Sequence, residues 1–254
     1  EPLIDYFFFE SKGVIDLYEN VNLDEVKERN LLDFTYEKKG YNVYHSEKNI
    51  YNINTKFDNI DLSLEKDYYY KKFNLDKEKK YCLFLYTKFS SDKDNVINGI
   101  KNIIDYLKKL GYTLIIKIRP KSKNLVHKEH ISDNIFICSD TYPNETLQLL
   151  QISDLCVFFS SSAQAECLYS GVPAISFQTS YQHLFKELEY LKEYKKIFKF
   201  VDFDDWINIS FNNFKKIIDS LEIKNSNYIK NLKNKYVDVN NSSDKILNFF
   251  ETFK

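Results

Sequence analysis

The sequence predicts a doubly wound parallel α/β sheet, preceded by a partial amino-terminal segment and followed by helices. Three observations carry that expectation. Short apolar runs rich in strand formers recur from Tyr81 onward, with helical patterns between them. The stretch Ile152–Tyr181, ISDLCVFFSSSAQAECLYSGVPAISFQTSY, reads as strand, serine turn, helix and strand, a βαβ unit of minimal length. The polar turns after the first four strands then share one edge of the sheet, beyond the carboxyl ends of the strands, where ligands of open α/β sheets bind.

Taken in order, residues 1–75 form a partial segment and connector, and residues 76–254 the sheet domain with its terminal helices. Tyr6–Phe9, Tyr41–Tyr44 and Ile50–Ile53 are short strand candidates, and Asp24–Phe34 has a helical pattern behind a possible Asn22 cap. Asp58–Tyr70 shows no clear period and reads as connector. Tyr81–Tyr86 is the first apolar strand of the sheet, followed by a polar turn at Thr87–Asp92. Val96, Ile97, Ile100, Ile103, Ile104 and Leu107 lie at helical spacing, and Gly111 closes that helix. Thr113–Ile118 is the second strand, broken by Arg119-Pro120, and Ile135–Cys138 the third. Glu145–Ile152 is a short helix, and the βαβ unit supplies strands four and five at Leu155–Phe159 and Ala174–Phe177. A helix over Tyr181–Tyr194, a sixth strand over Ile197–Val201 and helices over 206–221, 225–235 and 243–253 complete the reading.

Composition narrows the function classes. Lys+Arg number 36 against Asp+Glu 37, a net charge of -1, which does not favour a nucleic-acid partner or a polybasic membrane contact. No apolar run approaches the roughly eighteen residues of a membrane span, and no signal peptide is visible. This gives a cytoplasmic location, with the inner membrane face open to a peripheral protein. Cys82, Cys138, Cys156 and Cys167 show no C-x-x-C spacing and read as free thiols, and the four histidines make no metal cluster. The expectation is therefore no metal site and no cofactor. The chain starts with Glu1 and holds no methionine, from which further sequence upstream is expected.

The serine turn carries the chemistry. Ser160, Ser161 and Ser162 stand where strand gives way to helix, where free backbone N–H groups and the helix dipole can hold a phosphate. Ser161 and Gln164 also fit an S-x-x-Q capping box, which needs no ligand. Glu166 lies about four residues past Ser162, near the same face; acidic residues are also favoured near helix N-termini without any ligand. Arg119 and Lys121 follow the second strand, and either could neutralise a phosphate or simply be a solvated loop charge. Thr87 and Lys88 offer a hydroxyl and a cation after the first strand. Ser139 and Thr141 follow the third, and His183 the fifth, where a lone histidine is usually structural.

In their order these features resemble the nucleotide-binding half of the GT-B glycosyltransferase superfamily, which is Rossmann-like. The closest resemblance is to CDP-glycerol glycerophosphotransferases and related surface-polysaccharide transferases. It is carried by FDNIDLSLEKDYYYKKFNLDKEKK before the first strand, IRPK after the second, NIFICSD, and SDLCVFFSSSAQAECLYSGVPAISF, roughly residues 55 to 205. Gln164 and Glu166 also match the S-G-G-x-Q-E-E signature of UDP-N-acetylglucosamine 2-epimerases. Two departures stand out. Arg119 replaces the usual histidine of a His-Pro pair, keeping a cation but removing an acid–base group. Ser161-Ser162 replaces a double glycine.

The resemblance implies a metal-independent transferase with a nucleotide-activated donor, a nucleotide sugar or a CDP-alditol, acting on a carbohydrate or lipid-linked glycan acceptor. Arg119, Lys88 and the serine turn would stabilise charge on the leaving nucleotide, Glu166 would accept the ribose hydroxyls, and the loop after the third strand would hold the base. The superfamily's acceptor-binding half, the usual source of the catalytic base, is mostly absent from this sequence. The alternatives are a UDP-N-acetylhexosamine 2-epimerase and a non-catalytic nucleotide-binding or interaction domain.

Overall fold

The computed structural model describes residues 66–86, 93–118, 134–138, 145–159, 163–178 and 196–221, together with residues 7–8, 49–50, 247–248 and 251. Two short strands, β1 (Phe7–Phe8) and β2 (Asn49–Ile50), pair in parallel, at two of the expected strand positions. The expected strand Tyr41–Tyr44 and the helices over 24–34, 181–194 and 225–235 lie outside the described residues, whereas Leu247, Asn248 and Glu251 are helical.

The main sheet contains β3 (Lys80–Tyr86), β4 (Tyr112–Ile118), β5 (Ile135–Cys138), β6 (Leu155–Phe159), β7 (Ala174–Phe177) and β8 (Phe198–Val201). All pairs are parallel, in the order β5-β4-β3-β6-β7-β8. Counted from β3, this is the 3-2-1-4-5-6 order of dinucleotide-binding sheets, with its switch point between β3 and β6. All five residues of β6 are buried, because a central parallel strand is covered on both faces.

Side-chain alternation sorts the core into two layers. On one face Tyr81, Leu83, Ile115, Cys156 and Phe158 pack with helices α1 (Lys66–Lys72), α3 (Thr146–Gln151) and α4 (Ala163–Ser170). On the other, Cys82, Phe84, Ile116, Val157 and Phe177 meet α2 (Lys93–Lys109), α5 (Phe203–Ile207) and α6 (Phe211–Asp219). α2 forms because Val96, Ile100, Ile103, Ile104 and Leu107 place one buried stripe against the sheet. It ends at Gly111, whose φ of 82° is the left-handed conformation that closes helices. Gly171, at φ 66°, does the same for α4, and Val172 N–H then donates to the Cys167 carbonyl.

Two expected elements differ. The connector reading of Asp58–Tyr70 gives way at its end to α1, a single seven-residue helix. It is held by tertiary packing: Tyr69 is buried, while Tyr70, Phe73 and Leu75 lean on the same core. So short a helix shows too few turns to display a period. The single helix expected over 206–221 is two, α5 and α6. Ser210 is extended (φ -78°, ψ 155°) and caps α6 by accepting from Asn213 N–H at 3.3 Å, so the chain restarts there.

Trp206 fixes how the last helices meet the sheet. Its indole is completely buried against Phe159, Phe177 and Phe203, and its Nε1–H donates to the Gln178 carbonyl at 2.9 Å. α2 passes so close that a Cβ at Gly99 would stand 2.7 Å from Trp206 Cζ3.

Candidate functional site

Parallel pairing brings four strand ends to one edge. Tyr86 stands opposite Ile118, Ile118 opposite Cys138, and Phe158 of β6 opposite Leu85 of β3. Adjacent ends are therefore about 4.8 Å apart. In sequence, Thr87 and Lys88 follow Tyr86, Arg119 follows Ile118, Ser139 follows Cys138 and Ser160 follows Phe159. The register places the attachment points of the predicted site residues side by side, across the switch point.

Thr87, Lys88, Arg119, Lys121, Ser139, Thr141, Ser160, Ser161, Ser162 and His183 themselves lie outside the described residues. Gln164 is in α4, but its side chain is likewise outside them, and so is the capping box it was expected to complete.

Glu166 is the predicted residue whose side chain is described. It stands in the first turn of α4, the helix that leaves the β6 end, and is only 3% exposed. Across from it on β6, the Cys156 thiol is pushed up chiefly by burial. An acid placed merely to complement a helix dipole sits well in water, whereas burying a carboxylate is costly unless something is gained. Glu166 is thus a buried acid in the first turn of α4.

Three polar residues on the same layer were not singled out in the sequence. Lys117, next to last in β4, is 9% exposed, between Leu85 and Ile137 in register, on the face that carries α3 and α4. Ser176 and Gln178, at the end of β7, are 2% and 5% exposed, and Gln178 Nε2 donates to Ser176 Oγ at 3.0 Å. The signal was present: strict alternation in Ala174-Ile175-Ser176-Phe177-Gln178 puts both polar groups on one face.

Cys82, Cys156 and Cys167 are buried and in no disulfide, as the sequence suggested, and burial raises the Cys82 and Cys156 thiols. Raised thiols stay protonated and make poor nucleophiles or ligands. Among the described residues no cluster of three His, Cys, Asp or Glu side chains could hold a metal ion. Nor is any described helix long and apolar enough to cross a membrane.

A parallel sheet of this order, with helices on both faces, defines a Rossmann-like α/β fold. Solved structures narrow it. The chain is similar to the wall teichoic acid polymerase TagF, with a TM-score of 0.55 at 15% identity, covering 98% of this chain and 57% of that one. A variant of the polymerase soaked with CDPG gives a TM-score of 0.54 at 16% identity, covering 98% and 56%. The ADP-heptose LPS heptosyltransferase II of E. coli gives 0.46 at 12% identity over 63% and 51% of the two chains. The fold shared with the polymerase is GT-B-like, and this chain spans a little over half the length of the polymerase chain it matches. No family model and no curated protein matches the sequence.

Proposed function

We propose that this chain supplies the donor-binding part of a transferase that uses a nucleoside diphosphate-activated sugar or alditol in the synthesis of a surface polysaccharide or related glycan. The observation that carries the proposal is Glu166: a buried carboxylate in the first turn of the helix that follows the switch-point strand, in a GT-B-like fold. There it would accept the ribose hydroxyls of the donor. The serine turn Ser160–Ser162 and the helix N-terminus would hold the diphosphate, with Arg119 and Lys88 offsetting the charge that develops on the leaving nucleotide. Lys117, buried on the same sheet face, would add a further cation. Thr87, Ser139, Thr141 and Gln164 complete the donor contacts in this reading. The displacement would need no metal, and the acceptor would be a carbohydrate or a lipid-linked glycan.

Incubation with a panel of nucleotide sugars and CDP-alditols tests this. Transfer to a glycan acceptor, or slow hydrolysis of one donor, supports it. A product with an inverted hexosamine centre and an intact nucleotide would replace it with the epimerase reading. Binding without product would leave a nucleotide-binding domain.

A further inference from the structure

Gln178 is held more firmly than a surface glutamine and satisfied less completely than a core one. Its backbone is pinned on both sides: N–H donates to the Val201 carbonyl at 2.8 Å, and the carbonyl accepts from Trp206 Nε1 at 2.9 Å. Its side chain is 5% exposed, and Nε2 lies 3.0 Å from Ser176 Oγ and 3.4 Å from the Ser176 carbonyl. In this orientation Nε2, not Oε1, faces the Ser176 carbonyl, which is itself an acceptor. Oε1 is nevertheless buried and, among the described residues, accepts no hydrogen bond. Buried polar atoms are nearly always paired, and an apolar side chain of similar shape would fit this place at less cost. Stability therefore does not account for the glutamine.

The surroundings point the same way. Ser176 and Gln178 lie on the face that carries α4. Gln178 Oε1 is an oxygen acceptor, and an acceptor cannot pair with an ionised phosphate, which brings only acceptors of its own. The matching ligand atom carries a proton, as a hydroxyl does. The β7 end is one strand spacing, about 4.8 Å, from the β6 end that leads into the serine turn, and lies away from the β5 side expected to hold the base. A donor with its diphosphate at that turn and its base on the β5 side would extend its sugar or alditol toward β7.

We infer that Gln178 Oε1 is a specificity contact that accepts a hydrogen bond from a hydroxyl of the sugar or alditol carried by the nucleoside diphosphate. The assignment rests on the donor-site reading above, and the experiment separates the two. Calorimetry would compare CDP with CDP-glycerol, and UDP with UDP-glucose, on the parent chain and on Gln178→Met, an unbranched replacement of similar volume. The parent should bind the polyol-bearing nucleotides more tightly than CDP or UDP. Gln178→Met should weaken the polyol-bearing ligands by about 3- to 10-fold, the range of one neutral hydrogen bond. It should leave CDP and UDP unchanged and thermal stability equal or higher. If the variant does not fold, deoxygenated UDP-sugars on the parent chain give the same reading, with one hydroxyl position carrying the loss. Equal weakening of CDP and CDP-glycerol, or no weakening of either, overturns the contact while leaving nucleotide binding intact. Failure of the parent to bind any of the four overturns the donor-site reading and this contact with it.

Discussion

Gly99→Ala tests the packing that positions the end of β7. In an open helix this change stabilises by about 0.8–1 kcal/mol, since glycine is the poorer helix former. Here the added methyl would meet Trp206 Cζ3 at 2.7 Å, Cε3 at 3.1 Å and the Ile207 Cα at 3.3 Å. The indole has little room to yield: ring centroids of Phe159, Phe203 and Phe177 stand 5.4, 5.6 and 5.7 Å away, and Nε1 is tied to Gln178. Overpacking of this kind costs about 1–3 kcal/mol. The clash should therefore cancel the gain and leave a net loss of up to about 2 kcal/mol, lowering the melting temperature by up to about 8 °C for a chain of this size. Urea and thermal denaturation followed by circular dichroism measure it. Gly111→Ala is a useful companion: it has open space but a φ of 82°, so it should lose about 1 kcal/mol to backbone strain with no effect on tryptophan fluorescence. A Gly99→Ala protein stabilised by about 1 kcal/mol would refute the close approach of α2 and Trp206.

Other expectations concern the site and its pH range. Glu166→Gln should weaken CDP and UDP binding by about 1.5–3 kcal/mol, because a charge-assisted contact is lost, while inorganic pyrophosphate binds as before; unchanged nucleotide affinity would remove Glu166 from the site. Arg119→Ala should weaken nucleoside diphosphates by about 1.5–3 kcal/mol and leave nucleosides unaffected, and an equal effect on both would place Arg119 elsewhere. Burial holds the Cys82 and Cys156 thiols above the usual 9.0, so the folded state keeps protons that the unfolded chain releases. Their contribution to stability is complete below about pH 9 and is lost as pH rises beyond it, at up to about 1.4 kcal/mol per pH unit for each thiol. Urea midpoints that do not fall between pH 8 and pH 10 would contradict it.

The sheet was legible because its strands are short apolar runs bounded by turn residues, so Tyr81–Tyr86, Leu155–Phe159 and Ala174–Phe177 agree with the observed strands to within a residue. The α1 helix was not, since Tyr69 is a single buried anchor whose partners, Tyr81 among them, come from other elements. The split between α5 and α6 was hidden by apolar residues at Trp206, Ile209 and Phe214, all buried, which mimic a continuous stripe. At the site, residue type pointed to Glu166, but its burial appears only once α4 folds over β6. Ser176 and Gln178 passed unnoticed because a serine and a glutamine at a strand end carry no motif; the pairing with β8 and Trp206 gives them a fixed place.

The central claim is that the carboxyl edge of this sheet binds a nucleoside diphosphate. Calorimetric titration of the chain with CDP and with UDP, in a chelator and at low salt, measures it most directly. Saturable binding of at least one of them, competed by its sugar or alditol conjugate and weakened by Glu166→Gln, is the outcome expected. No binding of either at millimolar concentration, by a chain shown to be folded, would contradict the donor-site account.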